Sequence, residues 1–213
     1  MNILIIYAHP SNKSFTYKVL QTLVKALQMG NHQVEISDLY KMEFQSDMTE
    51  EEYEREGFAK MELPLSEDVI AEHRKIERAD CIVFLYPVWW SDCPAKMKGW
   101  FDRVYSVGYA YGYDHDGEKV MKMKRIKLGL VICTAGHPNN FLKETGIAES
   151  MRNVMLDDRL GVRFEKKEMI ILGGTLELEK VANSHLEKIM NLGINMYKFY
   201  NTLIVDNKDF YDV

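Results

Sequence analysis

Five short, strand-like runs limit what this chain can fold into. NILIIYAH (2–9), DCIVFLYP (80–87), KLGLVICTAG (127–136) and KKEMIILGG (166–174) are largely apolar, and HQVEISDLY (32–40) is mixed. Apolar runs of this length, bounded by Gly, Pro or small polar residues, fit strands buried on both faces, as in a parallel sheet. Between the first two runs, SFTYKVLQTLVKALQMG carries Phe15, Val19, Leu20, Leu23, Val24 and Leu27 on one helix face, and Gly30 is a stop signal. SEDVIAEHRKIERA (66–79) reads as a helix with Ser66 as N-cap, and PAKMKGWFDRVYS (94–106) as a helix with Pro94 in its first turn. A helix around 144–158 and a long one over 177–203 complete the alternation. Segment 41–66 is charged and partly helical, a cover for the sheet or for a neighbouring subunit. The pattern predicts an α/β fold: a three-layer α/β/α sandwich around a five-stranded parallel sheet. No repeat or linker divides the sequence, so a single domain is expected over 1–213, with 204–213 as a polar tail.

Composition removes several function classes. The net charge is −5 and no basic tract occurs, which argues against nucleic acid as a partner. Cys81, Cys93 and Cys133 are odd in number and lack metal spacing, so reduced thiols in the cytoplasm are expected. The N-terminal run lacks a basic n-region, and no stretch is long and apolar enough to span a bilayer. No HExxH or grouped His/Asp/Glu set marks a metal, and no GxSxG marks a serine hydrolase. Glu50-Glu51-Glu52 reads as a solvated helix face.

The unusual segments all follow strands, where open α/β sheets bind ligands. HPSNKSFT (9–16) sets Ser11, Asn12, Ser14 and Thr16 at a helix start, which suits a phosphate or serves simply as a cap cluster. Neither GxGxxG nor a P-loop is present, and a flavin mononucleotide phosphate fits such a hydroxyl-rich turn. All three tryptophans fall in YPVWWSDCPAKMKGW (86–100). Trp89 and Trp90 suit stacking on a planar ring or a lid on the core, whereas Trp100 belongs to the core. Thr134, Ala135 and Gly136 let backbone approach a ring, or simply make a tight turn. Tyr109, Tyr111 and Tyr113 alternate, as a pocket wall or a dimer contact. Cys93, before Pro94, is a reduced bystander or a thiol activated at a helix start.

AHPSNKSFTYKVL, SDLYKMEF, ADCIVFLYPVWWSDCPAKMKGWFDRV and AYGY together resemble the NAD(P)H:quinone oxidoreductase family, a flavodoxin-like group. Its bacterial relatives include modulator-of-drug-activity proteins and ancillary subunits of potassium efflux systems. The resemblance runs over about residues 1–175. It implies a flavin cofactor, homodimerisation, and two-electron reduction of quinones by NAD(P)H in a ping-pong cycle. The phosphate loop falls on His9, Ser14, Phe15 and Thr16, and the flavin-cradling segment on Pro87, Val88, Trp89 and Trp90. The third flavin loop falls on Thr134, Ala135 and Gly136. The tyrosines that line the partner subunit's pocket fall on Tyr111 and Tyr113, with Phe141 also in the substrate pocket. The alternative that the resemblance allows is a flavin-binding regulatory subunit of a potassium efflux transporter. Where mammalian members carry a charge-relaying tyrosine and histidine, this chain has Phe141 and Ala148, neither of which moves a proton. His137 enters the third loop instead and is the candidate catalytic group. The chain stops short of the extended C-terminal region of mammalian members, which implies FMN over FAD.

Overall fold

The computed structural model describes residues 1–112, 117 and 122–205. Tyr113 and most of the expected tail lie outside the described residues. Five strands form one all-parallel sheet: β1 (Asn2–Tyr7), β2 (Gln33–Asp38), β3 (Cys81–Pro87), β4 (Ile126–Thr134) and β5 (Phe164–Leu172), in the spatial order β2-β1-β3-β4-β5. Each strand lies within two residues of its expected start and end. The three central runs are buried along nearly their whole length, as continuous apolar sequence requires.

Alternate strand residues feed two cores. Ile3, Ile5, Tyr7, Val83, Leu85, Leu130 and Ile132 pack beneath α1 (Phe15–Met29) and α7 (Leu178–Ile194). Leu4, Ile6, Ile82, Phe84, Tyr86, Val131 and Cys133 face the opposite side, under α3 (Glu67–Arg78) and α4 (Ala95–Val104). Trp100 is wholly buried in that second core, as expected. Its ring meets Phe84, Phe101 and Tyr105, and its indole N–H donates to the buried Glu72 carboxylate at 2.8 Å. An indole is tolerated inside because its one polar atom is satisfied.

The ambiguous segment 41–66 covers α4 through one buried cation. Arg103 donates to Gln45 O, Asp68 and Glu52, each at 2.6 Å, and to the Ser66 hydroxyl oxygen at 2.9 Å. Two sequence readings change as a result. Ser66 precedes α3 but makes no side-chain cap, because its hydroxyl is drawn to Glu52 and Arg103. Glu52 is not solvated: it closes a capping box with Thr49 at the start of α2 (Glu50–Gly57) and pairs with Arg103. Burial alone would raise the carboxyls of Glu52 and Asp68, but the Arg103 hydrogen bonds outweigh it and hold both below the ordinary range.

The helix expected around 144–158 is three pieces: α5 (Asn139–Glu144), α6 (Ile147–Arg152) and a π-helical turn over Asn153–Leu160. Gly146, at φ 77°, separates the first two. The long final helix breaks at Asn195 into α7 and α8 (Met196–Thr202).

At Gly99, α4 approaches the backbone of the covering segment closely. A Cβ there would lie 2.1 Å from the Ser46 carbonyl oxygen. Gly99→Ala should therefore cost about 2–3 kcal/mol in spite of alanine's better helix propensity. The check is a lower guanidinium midpoint with an unchanged denaturant slope.

Candidate functional site

Three turns meet beyond the carboxyl ends of β1, β3 and β4. The sheet order changes direction between β1 and β3, the position where open α/β sheets form a ligand crevice. Ala8 N–H donates to Leu85 O at 3.1 Å and fixes the start of the first turn against β3.

In the first turn, the Ser14 hydroxyl caps α1 by accepting from Tyr17 N–H at 3.1 Å. Ser14 O accepts from Lys18 N–H at 3.2 Å. Phe15 and Thr16 occupy the first two helical positions, whose N–H groups have no carbonyl in the helix to reach. His9 accepts from Ser11 N–H through Nδ1 at 2.9 Å, and burial lowers its pKa. The neutral ring then carries its proton on Nε2, a hydrogen-bond donor at the edge of the crevice.

The second turn is a tight reversal. Trp89 and Asp92 exchange backbone hydrogen bonds of 2.9 and 3.2 Å, with Trp90 at φ 49° and Ser91 at φ 64° between them. Positive φ at both central positions is the signature of a primed turn, and it costs non-glycine residues about 1 kcal/mol each. The strain presents the two indoles: Trp90 is fully exposed, and Trp89 is half-exposed with its ring 6.2 Å from His9. Arg159 braces the turn, with its guanidinium holding the Asp92 carboxylate at 2.7 and 2.9 Å and lying over the Phe101 ring. Burial would raise the Asp92 carboxyl, but the hydrogen bonds from Arg159 hold it below the usual carboxylate range. Sequence reasoning missed this pair. Arg159 reaches the site from the π-helical turn, a local geometry that often marks functional positions and that no spacing rule predicts.

Thr134, at the end of β4, joins all three turns. Its hydroxyl lies 2.8 Å from the Thr16 hydroxyl, and its carbonyl accepts from Val88 N–H at 2.8 Å. Ala135 and Gly136 are pinned from behind: Ala135 O takes the N–H and hydroxyl of Thr175, and Gly136 O takes Leu176 N–H. His137 is exposed and stacks on Phe141 at 4.5 Å.

The structure thus gathers His9, Ser14, Thr16, Pro87, Val88, Trp89, Trp90, Thr134, Ala135, Gly136, His137 and Phe141 at one end of the sheet. Phe15 is there by its backbone, while its ring turns to His185. The tyrosines separate. Tyr109 is buried, stacked on His73 at 3.6 Å and bonded to Glu77, so it belongs to the core and not to a wall. Tyr111 borders a different cleft, of about 260 Å³, with Lys98, Asp102, Arg159 and Arg163. Ala148 lines yet another groove, against β5. Cys93 is buried and its thiol is pushed up to about 12 by desolvation, which fits an inert bystander. Among the described residues no group of three or more His, Cys, Asp or Glu is placed to hold a metal, and no helix is long and apolar enough to cross a membrane.

Open amides at the start of α1 are donors for a phosphate, beside exposed indoles and a small-residue turn that suit a flat ring; the Ser14 hydroxyl already donates to Ser11 O at 2.9 Å, and Thr16 is buried against Thr134. The residues present fit a flavin mononucleotide.

Fold and site together define a flavodoxin-like α/β protein. The family model for the flavodoxin-like fold matches residues 1–188. A solved structure, an NAD(P)H:quinone oxidoreductase from Methanothermobacter marburgensis, is 44% identical with a TM-score of 0.84, and the match covers 92% of this chain and 98% of that one. A ribosyldihydronicotinamide dehydrogenase-like protein from Penicillium crustosum is 31% identical over 187 residues, 77% of this chain and 68% of the relative. An NAD(P)H dehydrogenase (quinone) 1 from Cavia porcellus is 39% identical over 123 residues, 52% of this chain, and the match spans only 45% of that relative. The chain belongs to the flavodoxin-like family, within its NAD(P)H:quinone oxidoreductase group.

Arg159→Met should release the strained turn at a cost of about 1–2 kcal/mol, near the low end for charged hydrogen bonds because Asp92 is half-exposed. The pH dependence has a definite sign. Asp92 has a folded pKa below its unfolded one, so its contribution is full above about pH 4 and is lost as pH falls further. Urea midpoints at pH 7 and pH 3 check both points: the gap between wild type and variant should narrow at the lower pH.

Proposed function

We propose that this chain is an FMN-dependent reductase that takes a hydride from NAD(P)H and passes two electrons to a quinone or a similarly flat acceptor, in a ping-pong cycle through one cavity. The observation that carries the reading is the convergence of three turns on Thr134 at the sheet's change of direction. The similarity to NAD(P)H-dependent quinone oxidoreductases supports the same chemistry. FMN, once bound, would supply the redox centre between hydride donor and acceptor that the protein's own side chains do not provide. FAD is the alternative cofactor.

The chain's own groups have separable tasks. The amides at the start of α1, in the turn that Ser14 and Thr16 shape, would hold the phosphate, and His9 would donate through Nε2. Val88, Trp89 and Trp90 would hold the ring, the two exposed indoles offering it flat apolar faces. Ala135 and Gly136, as small residues, would let backbone approach its edge. His137 would stabilise negative charge there, in place of a relay that Phe141 and Ala148 do not offer. Tyr111 makes its contacts away from the three turns of its own chain, which supports a homodimer in which Tyr111 lines the partner's cavity.

Purified protein loaded with FMN should be yellow and should oxidise NADPH or NADH when menadione is supplied. Protein that takes up neither flavin, or that is not reduced by either nicotinamide, sinks the reading. Thr134→Val should weaken FMN binding roughly tenfold by removing the link to Thr16, measured by flavin fluorescence quenching. His137→Ala should slow the reductive half-reaction about tenfold in stopped flow, a modest share of general electrostatic stabilisation, and leave FMN affinity unchanged.

A further inference from the structure

The C-terminal end of α2 grips the loop that carries Tyr111. Arg55 Nη2 donates to Val107 O at 3.0 Å, while Glu56 Oε2 accepts from Val107 N–H at 2.6 Å. The two neighbouring side chains therefore hold both the carbonyl and the N–H of one residue. They are joined to each other at 2.6 Å and are 6% and 10% exposed. The same Glu56 Oε2 accepts from the Tyr111 hydroxyl at 3.1 Å. Within the loop, Gly108 N–H donates to Tyr111 O at 2.6 Å, and Arg163 Nε donates to Ala110 O at 3.1 Å. Beneath it, Tyr109 is fixed by His73 and Glu77. Among the described residues of the loop, Tyr111 is the one that presents a large ring outward. Burial first, then the Glu56 carboxylate, raises the Tyr111 hydroxyl to about 12, so the phenol stays protonated and donates.

A carboxylate this enclosed is costly to desolvate, and its partners repay that cost by ordering a single loop. We propose that Glu56 is a positioning residue for the acceptor cavity: through one oxygen it fixes both the backbone at Val107 and the ring of Tyr111, and so sets the wall against which a flat acceptor is held. The proposal rests on the reading above that Tyr111 lines that cavity. Glu56 itself touches no substrate and acts through the tyrosine.

The test is steady-state reduction of menadione by FMN-loaded enzyme at saturating NADPH, for Tyr111→Ala, Glu56→Ala, the double variant and Glu56→Gln. Tyr111→Ala and Glu56→Ala should each raise the menadione KM roughly tenfold, with kcat within about twofold and FMN affinity unchanged. The double variant should be no worse than the worse single one, because both remove the same wall. Glu56→Gln should keep KM within about threefold of wild type, since its amide oxygen still accepts from Val107 and Tyr111 at the cost of the Arg55 Nη1 bond to the other oxygen. If Glu56→Ala does not fold, Glu56→Asp keeps the charge beside Arg55 but withdraws the oxygens by one methylene, and it should raise KM likewise. An unchanged KM in the Glu56 variants, with a raised KM in Tyr111→Ala, overturns the positioning role alone. So do effects that multiply in the double variant. An unchanged KM in Tyr111→Ala overturns the cavity reading and the proposal with it.

Discussion

One buried threonine couples the parts of this site. Thr134 ends β4, its hydroxyl meets Thr16 on α1, and its carbonyl holds the turn that follows β3. The sheet makes this coupling available. In a parallel sheet the ends of β1, β3 and β4 fall on one side, and the chain must leave each of them in the same direction. The turns are then close enough for single hydrogen bonds to fix their relative positions. Burial strengthens those bonds, because water does not compete for Thr134.

Around this point the protein uses arginines as internal braces. Arg103 binds the covering segment to α4, Arg159 binds the strained tryptophan turn, and Arg55 with Glu56 binds the tyrosine loop. Each guanidinium supplies several donors in a rigid plane, which suits carbonyls and carboxylates on irregular backbone. Such buried pairs add little net stability once desolvation is counted. What they provide is definition of shape. All three serve segments that lie outside the regular strands, where backbone ladders do no such work.

The strands were legible because a run buried on both faces must be apolar throughout. NILIIYAH and DCIVFLYP admit few other readings. The first turn was legible for a local reason as well, since Ser14 caps the very helix that follows it. Arg159 was not legible, because its partner Asp92 lies 67 positions away and its own helix departs from regular spacing. The alternation of tyrosines was seen, but not that Tyr109 turns inward to His73 while Tyr111 turns outward to Glu56. The run of three glutamates looked uniform, yet Glu52 alone is claimed by Arg103. In each miss the deciding partner is remote in sequence.

By itself, then, the sequence determined the parallel α/β order, the placing of the unusual segments after strands, and the residue types suited to a flat, phosphate-bearing cofactor. These follow from burial and from helix-end chemistry, both readable over a few neighbouring positions. Tertiary structure decided which turns are tied together, which charged groups are enclosed, and which aromatic rings face out. Those outcomes depend on contacts between distant segments, and only the folded packing brings such segments within hydrogen-bonding distance.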